Sequence, residues 1–128
     1  MALKPSYNDK LHLPGLSKTE ILILALEASQ KLEWNIEEVT PEGARFEVPF
    51  NMYSHGEEIT FTIDPGNDGE VAVRSQSSSV QFVDYGKNRK NIQKLRETME
   101  EIKTSLTPEE LTQKAKDFEE ECNRPLTE

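Results

Sequence analysis

The stretch Glu58-Ile-Thr-Phe-Thr-Ile-Asp-Pro-Gly-Asn-Asp-Gly-Glu-Val-Ala-Val73 contains two alternating segments on either side of a dense turn signal. Apolar residues at every second position are typical of half-buried antiparallel strands. A cluster of proline, glycine, asparagine and aspartate between two such segments indicates a hairpin turn. We therefore expect strands around residues 58–63 and 70–75 to pair as a β-hairpin.

Two further strands precede this hairpin. Ala44, Phe46 and Val48 alternate with polar or charged residues, and Pro41-Glu-Gly43 joins this segment to a short strand near residues 35–40. The pattern predicts a four-stranded antiparallel meander. In its last strand the parity of Val71 and Val73 also places serines 75, 77 and 79 inward, where their hydroxyls need partners. Val80 and Phe82 resume the apolar pattern on the opposite parity, which indicates a bulge or loop between Ser75 and Val80.

Three helices are expected around this sheet. The first begins at Leu16-Ser-Lys-Thr-Glu-Ile21, where a serine and a glutamate three residues later have the spacing of a capping box. The second has apolar residues at helical spacing from Ile92 to Ile102. The third begins at Leu106-Thr-Pro-Glu-Glu-Leu111, which combines a capping threonine, a proline in the first turn and a capping-box glutamate. The sequence therefore predicts a two-layer α+β fold, with an N-terminal helix, the meander and two C-terminal helices on one sheet face.

A chain of 128 residues is expected to form one domain. We expect a flexible lead-in at residues 1–15, because prolines and polar residues follow no period there, a single α+β domain at 16–122 and a tail at 123–128. Leu24 and Ile63 are predicted to lie in the core between the helical layer and the sheet. No apolar run approaches the length of a membrane span, and the first residues are too polar for a signal peptide.

The composition is acidic, with a net charge of −9, and therefore argues against general nucleic-acid binding. The single cysteine, Cys122, allows no intramolecular disulfide, so we expect a reducing, cytoplasmic compartment. The acidic residues beside Cys122 and its place near a helix end disfavour a thiolate, and we expect the side chain to be unreactive packing.

Charge is unevenly distributed near the second helix. Residues 84–96 contain five basic residues and one acidic residue, whereas residues 97–128 contain ten acidic and four basic ones. If the third helix folded back beside the basic segment, the two charge groups would neutralise each other. If it packs elsewhere, the cations stay available to an external anion.

The basic segment follows a serine-rich stretch, and together they form the candidate ligand-binding site. A helix N-terminus offers unpaired backbone N–H groups to an anion, and nearby cations add to the attraction. The alternative is structural, with Asp84 capping the helix and the cations forming a solvated face. A contact with an acidic protein surface is the third interpretation. The candidate residues are Ser75, Ser77, Lys87, Asn88, Arg89 and Lys90.

The sequence gives weaker indications of a metal site or of a catalytic site. His55 precedes two glutamates, but the only other histidine, His12, lies in the predicted lead-in, and a metal site needs three or four ligands. The segment from Asp64 resembles a calcium loop but has Ser75 where that loop requires a glutamate. No nucleophile elbow or recognisable histidine base is present. We expect no catalytic residue, no metal and no cofactor.

Three motifs carry a resemblance to a family. Gly56-Glu-Glu-Ile-Thr60, Ser75-Gln-Ser77 and Asp84-Tyr-Gly-Lys-Asn88 resemble a signature of small uncharacterised bacterial α+β domains. In those domains a Gly-Glu-x-Ile-Thr strand precedes a Ser-x-Ser strand and an Asp-aromatic-Gly-Lys-Asn helix start. The resemblance covers about residues 21–102 and implies the fold without implying an activity.

Three functional classes are therefore considered for this fold. The first is a small intracellular module, structural or binding a protein partner. The second is a binder of a small phosphate-bearing anion at the start of the second helix. The third is an enzyme, ranked last because no catalytic constellation is recognised. The sequence leaves the oligomeric state and the identity of any partner open.

Overall fold

The computed structural model of the chain describes residues 6–49, 56–64, 69–77 and 86–123. Within these ranges the chain forms five strands and three helices: β1 (Ser6–His12), α1 (Lys18–Lys31), β2 (Asn35–Thr40), β3 (Gly43–Val48), β4 (Glu57–Ile63), β5 (Glu70–Ser77), α2 (Lys87–Ser105) and α3 (Pro108–Asn123). The predictions that concern His55, Ser79 and Asp84 fall outside the described residues.

The strands form one antiparallel sheet in the order β1-β5-β4-β3-β2. The α+β class and the antiparallel meander β2–β5 are confirmed, including the hairpin of β4 and β5. The prediction of four strands was wrong, because β1 adds a fifth strand beside β5. This strand comes from the segment that we expected to be a lead-in.

In β1 the inward positions are not marked by an apolar residue at every second position. Tyr7, Asp9 and Leu11 face the helical layer opposite inward residues of β5, yet Leu11 is the only aliphatic residue among them. The strand is also tied down beyond its end, where the Leu13 N–H donates a 2.7 Å hydrogen bond to the Gly69 carbonyl. Alternation of apolar and polar residues is therefore too weak here to predict a strand.

Helix α1 begins as predicted. The Ser17 N–H donates to Glu20 Oε1 at 2.9 Å and the Glu20 N–H donates to Ser17 Oγ at 3.1 Å, which completes the capping box. Six consecutive residues from Ile21 to Leu26 are buried, because α1 lies between the sheet and α3. Leu24 and Ile63 are both buried in the core, as the sequence predicts.

The two C-terminal helices do not both cover the sheet. Helix α2 packs on β5 and β1, whereas α3 packs against α1 through buried Leu111 and Ala115. The prediction that both helices lie on one sheet face was therefore wrong in this detail. The start of α3 is as expected, since the Glu110 N–H donates to Thr107 Oγ1 at 3.1 Å and the Thr107 N–H donates to Glu110 Oε1 at 2.8 Å.

The sheet has one covered and one open face. Inward residues of β4 and β5 alternate with exposed outward ones, and the helices pack on the inward side. The outward face contains polar and charged side chains and is not covered by any described helix. No helix in the described ranges combines the length and hydropathy that a membrane span requires.

Candidate functional site

Five buried polar residues meet where β4 begins, β5 ends and α2 begins. We call them the polar cluster: Glu57, Ser75, Ser77, Asn88 and Asn91. The Ser75 hydroxyl donates to Asn88 Oδ1 at 2.7 Å, and Asn88 Nδ2 donates to Ser77 Oγ at 3.2 Å. Asn91 Nδ2 donates to Glu57 Oε1 at 2.9 Å and to Ser75 Oγ at 3.3 Å. The cluster therefore joins α2 to two strands through hydrogen bonds.

Two periodicities assemble the polar cluster. Ser75 and Ser77 continue the inward parity of Val71 and Val73 along β5. Asn88 and Asn91 lie three residues apart in the first turns of α2, so both side chains point at the same strand ends. Each amide has donors and an acceptor, which lets it bridge two hydroxyls or a hydroxyl and a carboxylate.

The polar cluster contains three of the six candidate ligand-binding residues. Ser75, Ser77 and Asn88 are within 2% of complete burial and bond to one another. A buried polar group is costly unless it is paired, and these three supply each other's partners. The Ser75 and Ser77 hydroxyls, which the sequence predicts to need partners, form hydrogen bonds with α2.

The other three candidate residues lie at the surface. Arg89 and Lys90 are exposed and Lys87 is half-buried. None of the three forms an ion pair within the described part of the chain. The N-cap position of α2 is Gly86, with a positive φ of 77°, and the predicted cap Asp84 lies outside the described residues. The structure therefore separates a buried group of candidate residues from an exposed cationic group.

One cation further along α2 is neutralised by β1. Arg96 donates a 2.7 Å hydrogen bond from its guanidinium to Asp9 Oδ2. The Lys10 N–H donates to the other oxygen of Asp9 at 2.8 Å. The Lys10 amide and the Arg96 guanidinium together lower the pKa of the Asp9 carboxyl below its ordinary value. The sequence did not predict this pair, because β1 was expected to be a lead-in.

Helix α3 packs against α1 and not against the start of α2. Thr19 donates a hydrogen bond to Glu119 at 2.6 Å, Thr112 donates to Glu20 at 2.9 Å, and Lys114 pairs with Glu27 at 3.1 Å. Within the described residues, the fold-back of α3 beside the basic segment is therefore not observed. The cations at the start of α2 are left without carboxylate partners from α3.

Two members of the polar cluster, Glu57 and Asn91, were not predicted from the sequence. The signal for Glu57 was present, since it has the same parity on β4 as Ile59, Phe61 and Ile63 and therefore points inward. Extending the alternation of that strand two residues backwards would have found it. Asn91 lies one helical turn from Asn88 and faces the same way.

Other reactive groups are dispersed. Among the described residues, no group of three or more histidine, cysteine, aspartate or glutamate side chains has an arrangement that could hold a metal ion. Cys122 is exposed, which corrects the expectation that it packs against the core. It lies in the last turns of α3, beyond the buried positions Leu111 and Ala115.

A protein-family model covers residues 6–99, from the first residue of β1 to the fourth turn of α2. The chain belongs to the family DUF1499. This family is described as a protein of unknown function. The match includes all five strands, α1 and the polar cluster, and it excludes α3. No curated protein matches the chain.

Proposed function

We propose that this DUF1499 chain is a non-catalytic protein-interaction module that docks a partner along β2. The observation that carries the proposal is the exposure of Ile36 and Val39, at 39% and 40%. They are the large hydrophobic residues exposed within the described ranges, and both belong to the strand at one edge of the sheet. We call β2 with these two side chains the β2 margin.

A β-bulge brings the two side chains to one face. The pairing of β2 with β3 shifts between Ile36 and Glu38, so one extra residue is inserted in β2. Without this shift, two residues three positions apart would point to opposite faces. Ile36 is paired with Phe46 and Val39 with Ala44, both of which face the helical layer. The β2 margin is therefore an apolar strip on the helical side of the sheet.

The helical layer leaves space over this strip. Helix α1 contacts β2 and β3, and Trp34 packs near Phe46 with ring centroids 6.3 Å apart. Phe46 is completely buried by these neighbours, but all six residues of β2 stay exposed. A partner's helix lying beside α1 would extend the layer over the last strand.

The surroundings of the β2 margin are acidic, which favours a basic partner. Glutamates 33 and 42 lie beyond the two ends of β2, and glutamates 37, 38 and 47 lie on β2 and β3, where 38 and 47 project to the open face. The one arginine among them, Arg45, lies 3.7–3.8 Å from carboxylates of Glu37, Glu38 and Glu58 and is thus already balanced. The bulge also interrupts the regular spacing of hydrogen-bonding groups along the strand edge, which disfavours addition of another strand. The occupant that fits is a basic amphipathic helix.

The test is a titration of isotope-labelled protein with a synthetic 18-residue peptide of leucine and lysine in an amphipathic helical pattern, followed by amide chemical shifts. Shifts concentrated in residues 35–40 are expected. The double variant Ile36→Ser, Val39→Ser should weaken binding about tenfold, because it removes the apolar contacts. Ala72→Ser makes a similar change on the open face and should leave binding unchanged.

A leucine–glutamate peptide of the same pattern is the charge control. Equal binding of the acidic peptide, or equal binding by the double serine variant, would overturn the proposal. Melting temperatures of all variants show that each one is folded, so that a loss of binding is not a loss of structure.

The anion-binding hypothesis at the start of α2 is the second candidate. It is favoured by the packing of α3 against α1 and not against the start of α2, so that Lys87, Arg89 and Lys90 form no ion pairs in the described structure. Titration with inorganic phosphate, followed at the amides of residues 86–90, tests this site separately.

A further inference from the structure

The open face of the sheet contains a depression of about 590 Å³. Six outward polar side chains from three strands line it: Asn8, Lys10, Thr60, Thr62, Arg74 and Gln76. Its floor includes the small side chain of Ala72. The volume is within the usual range for pockets that bind small molecules.

Two of the cations on this face are paired with carboxylates. Lys10 pairs with Glu70 at 3.0 Å. Arg45, two strands away from Arg74, is surrounded by three carboxylates at 3.7–3.8 Å. Among these cations Arg74 is the exception, since its guanidinium forms no ion pair with any described residue.

The residues directly opposite Arg74 and its next same-face neighbour on β5 are neutral hydrogen-bonding groups. Asn8 of β1 and Thr60 of β4 lie directly opposite it on the two adjacent strands. Gln76 follows two residues along β5 on the same face. The diagonal position on β4 holds Glu58, but that carboxylate lies against Arg45 and does not line the depression. An uncompensated guanidinium therefore lies among hydroxyl and amide groups.

We propose that this depression binds a small organic anion, whose carboxylate or phosphate group pairs with Arg74. A guanidinium presents a planar fork of donors that matches two oxygens of such a group. The Thr60 hydroxyl and the Asn8 and Gln76 amides lie around the fork and can bond to the remaining polar atoms of the ligand. The site lies on the opposite face of the sheet from α2, so it is distinct from the anion-binding hypothesis there and from the β2 margin.

The experiment is an NMR titration at low salt with two probes, sodium benzoate and inorganic phosphate. We expect amide shifts at Thr60, Thr62, Ala72 and Arg74, and a shift of the Arg74 Nε–H signal. Saturation by benzoate alone would identify a carboxylate site, and saturation by phosphate alone would identify a phosphate site. Either result supports the proposal.

Variants test whether binding needs the planar guanidinium of Arg74 or only a positive charge. Arg74→Gln should weaken binding about tenfold or more, because it removes the charge and the planar fork. Arg74→Lys should weaken binding by a smaller factor, because it keeps the charge and loses only the planar fork. Lys94→Gln removes the same charge from the exposed side of α2 and should leave the affinity unchanged. No shift on the open face with either probe, shifts confined to residues 86–90, or equal binding by Arg74→Gln would each overturn the proposal.

Discussion

Ser75 on β5 and Asn88 on α2 share a hydrogen bond of 2.7 Å between the serine hydroxyl and the amide oxygen. Both side chains are completely buried. A hydrogen bond has a narrow range of distance and angle, whereas apolar contacts tolerate sliding. The position of the first turn of α2 over β5 is therefore specified by polar groups.

The substitution Asn88→Ala should lower the free energy of unfolding by about 1–3 kcal/mol. It removes the acceptor for Ser75 and the donor to Ser77 and leaves two buried hydroxyls short of a partner. Urea denaturation measures the change. The control is Lys90→Ala, two residues further along α2 on its exposed side. It should change the free energy of unfolding by less than about 0.5 kcal/mol. Equal midpoints for the two variants would show that the cluster does not hold α2.

Gly69→Ala should be more destabilising than Gly15→Ala. Both glycines have positive φ, at 72° and 82°, so alanine costs about 1–2 kcal/mol of backbone strain at each position. At Gly69 a Cβ would also overlap the backbone carbonyl of Leu13, whereas at Gly15 nothing lies within 4 Å. Thermal denaturation compares the two variants, and the excess loss at Gly69 reports the attachment of β1. Similar melting temperatures would contradict the close approach.

The Asp9 carboxyl should titrate below its ordinary pKa of 3.8. The Lys10 N–H is the first cause and the Arg96 guanidinium the second, so Arg96→Gln should raise this pKa part of the way. A folded-state pKa below the unfolded one gives stability that is present above about pH 3.8 and is lost as the pH falls through the folded value. An NMR pH titration of the Asp9 carboxyl carbon measures this, with Lys94→Gln as control. An unchanged pKa in Arg96→Gln would refute the pairing.

The second candidate function predicts anion binding at the start of α2. Titration with inorganic phosphate and nucleotides at low salt should then shift the amides of residues 86–90. The double variant Arg89→Gln, Lys90→Gln should abolish these shifts, while Arg74→Gln should preserve them. A flat response at millimolar ligand would remove this function and leave the interaction at the β2 margin.

The elements that could be predicted from the sequence are those whose own residues form a recognisable pattern. Capping boxes at Ser17 and Thr107 and the alternation around Phe61 are local patterns, and all three are present in the structure. The strand β1 could not be predicted in the same way, because Tyr7 and Asp9 occupy inward positions that aliphatic residues would normally mark. Their burial depends on β5 and α2, which are distant in the chain.

The candidate site shows a similar division. The inward direction of Ser75 and Ser77 followed from parity alone, and the structure places both hydroxyls inward. Their partners could not be predicted, because no sequence pattern fixes the rotation of α2 over the sheet. The bulge that exposes Ile36 and Val39 together was also missed, since one inserted residue in a short strand leaves no distinct mark in the sequence.

The pairing of β1 with β5 has a consequence for how the chain folds. Strands β2 to β5 pair with their neighbours in sequence, but Ser6 is paired with Gln76, across most of the family domain. Closing so large a loop has an entropic cost that only the completed hairpin of β4 and β5 can offset. On the ribosome, β1 is synthesised before the other strands and has no partner until β5 has emerged. The earliest strand of the sheet is thus the one whose hydrogen-bonding edge stays unprotected longest during synthesis.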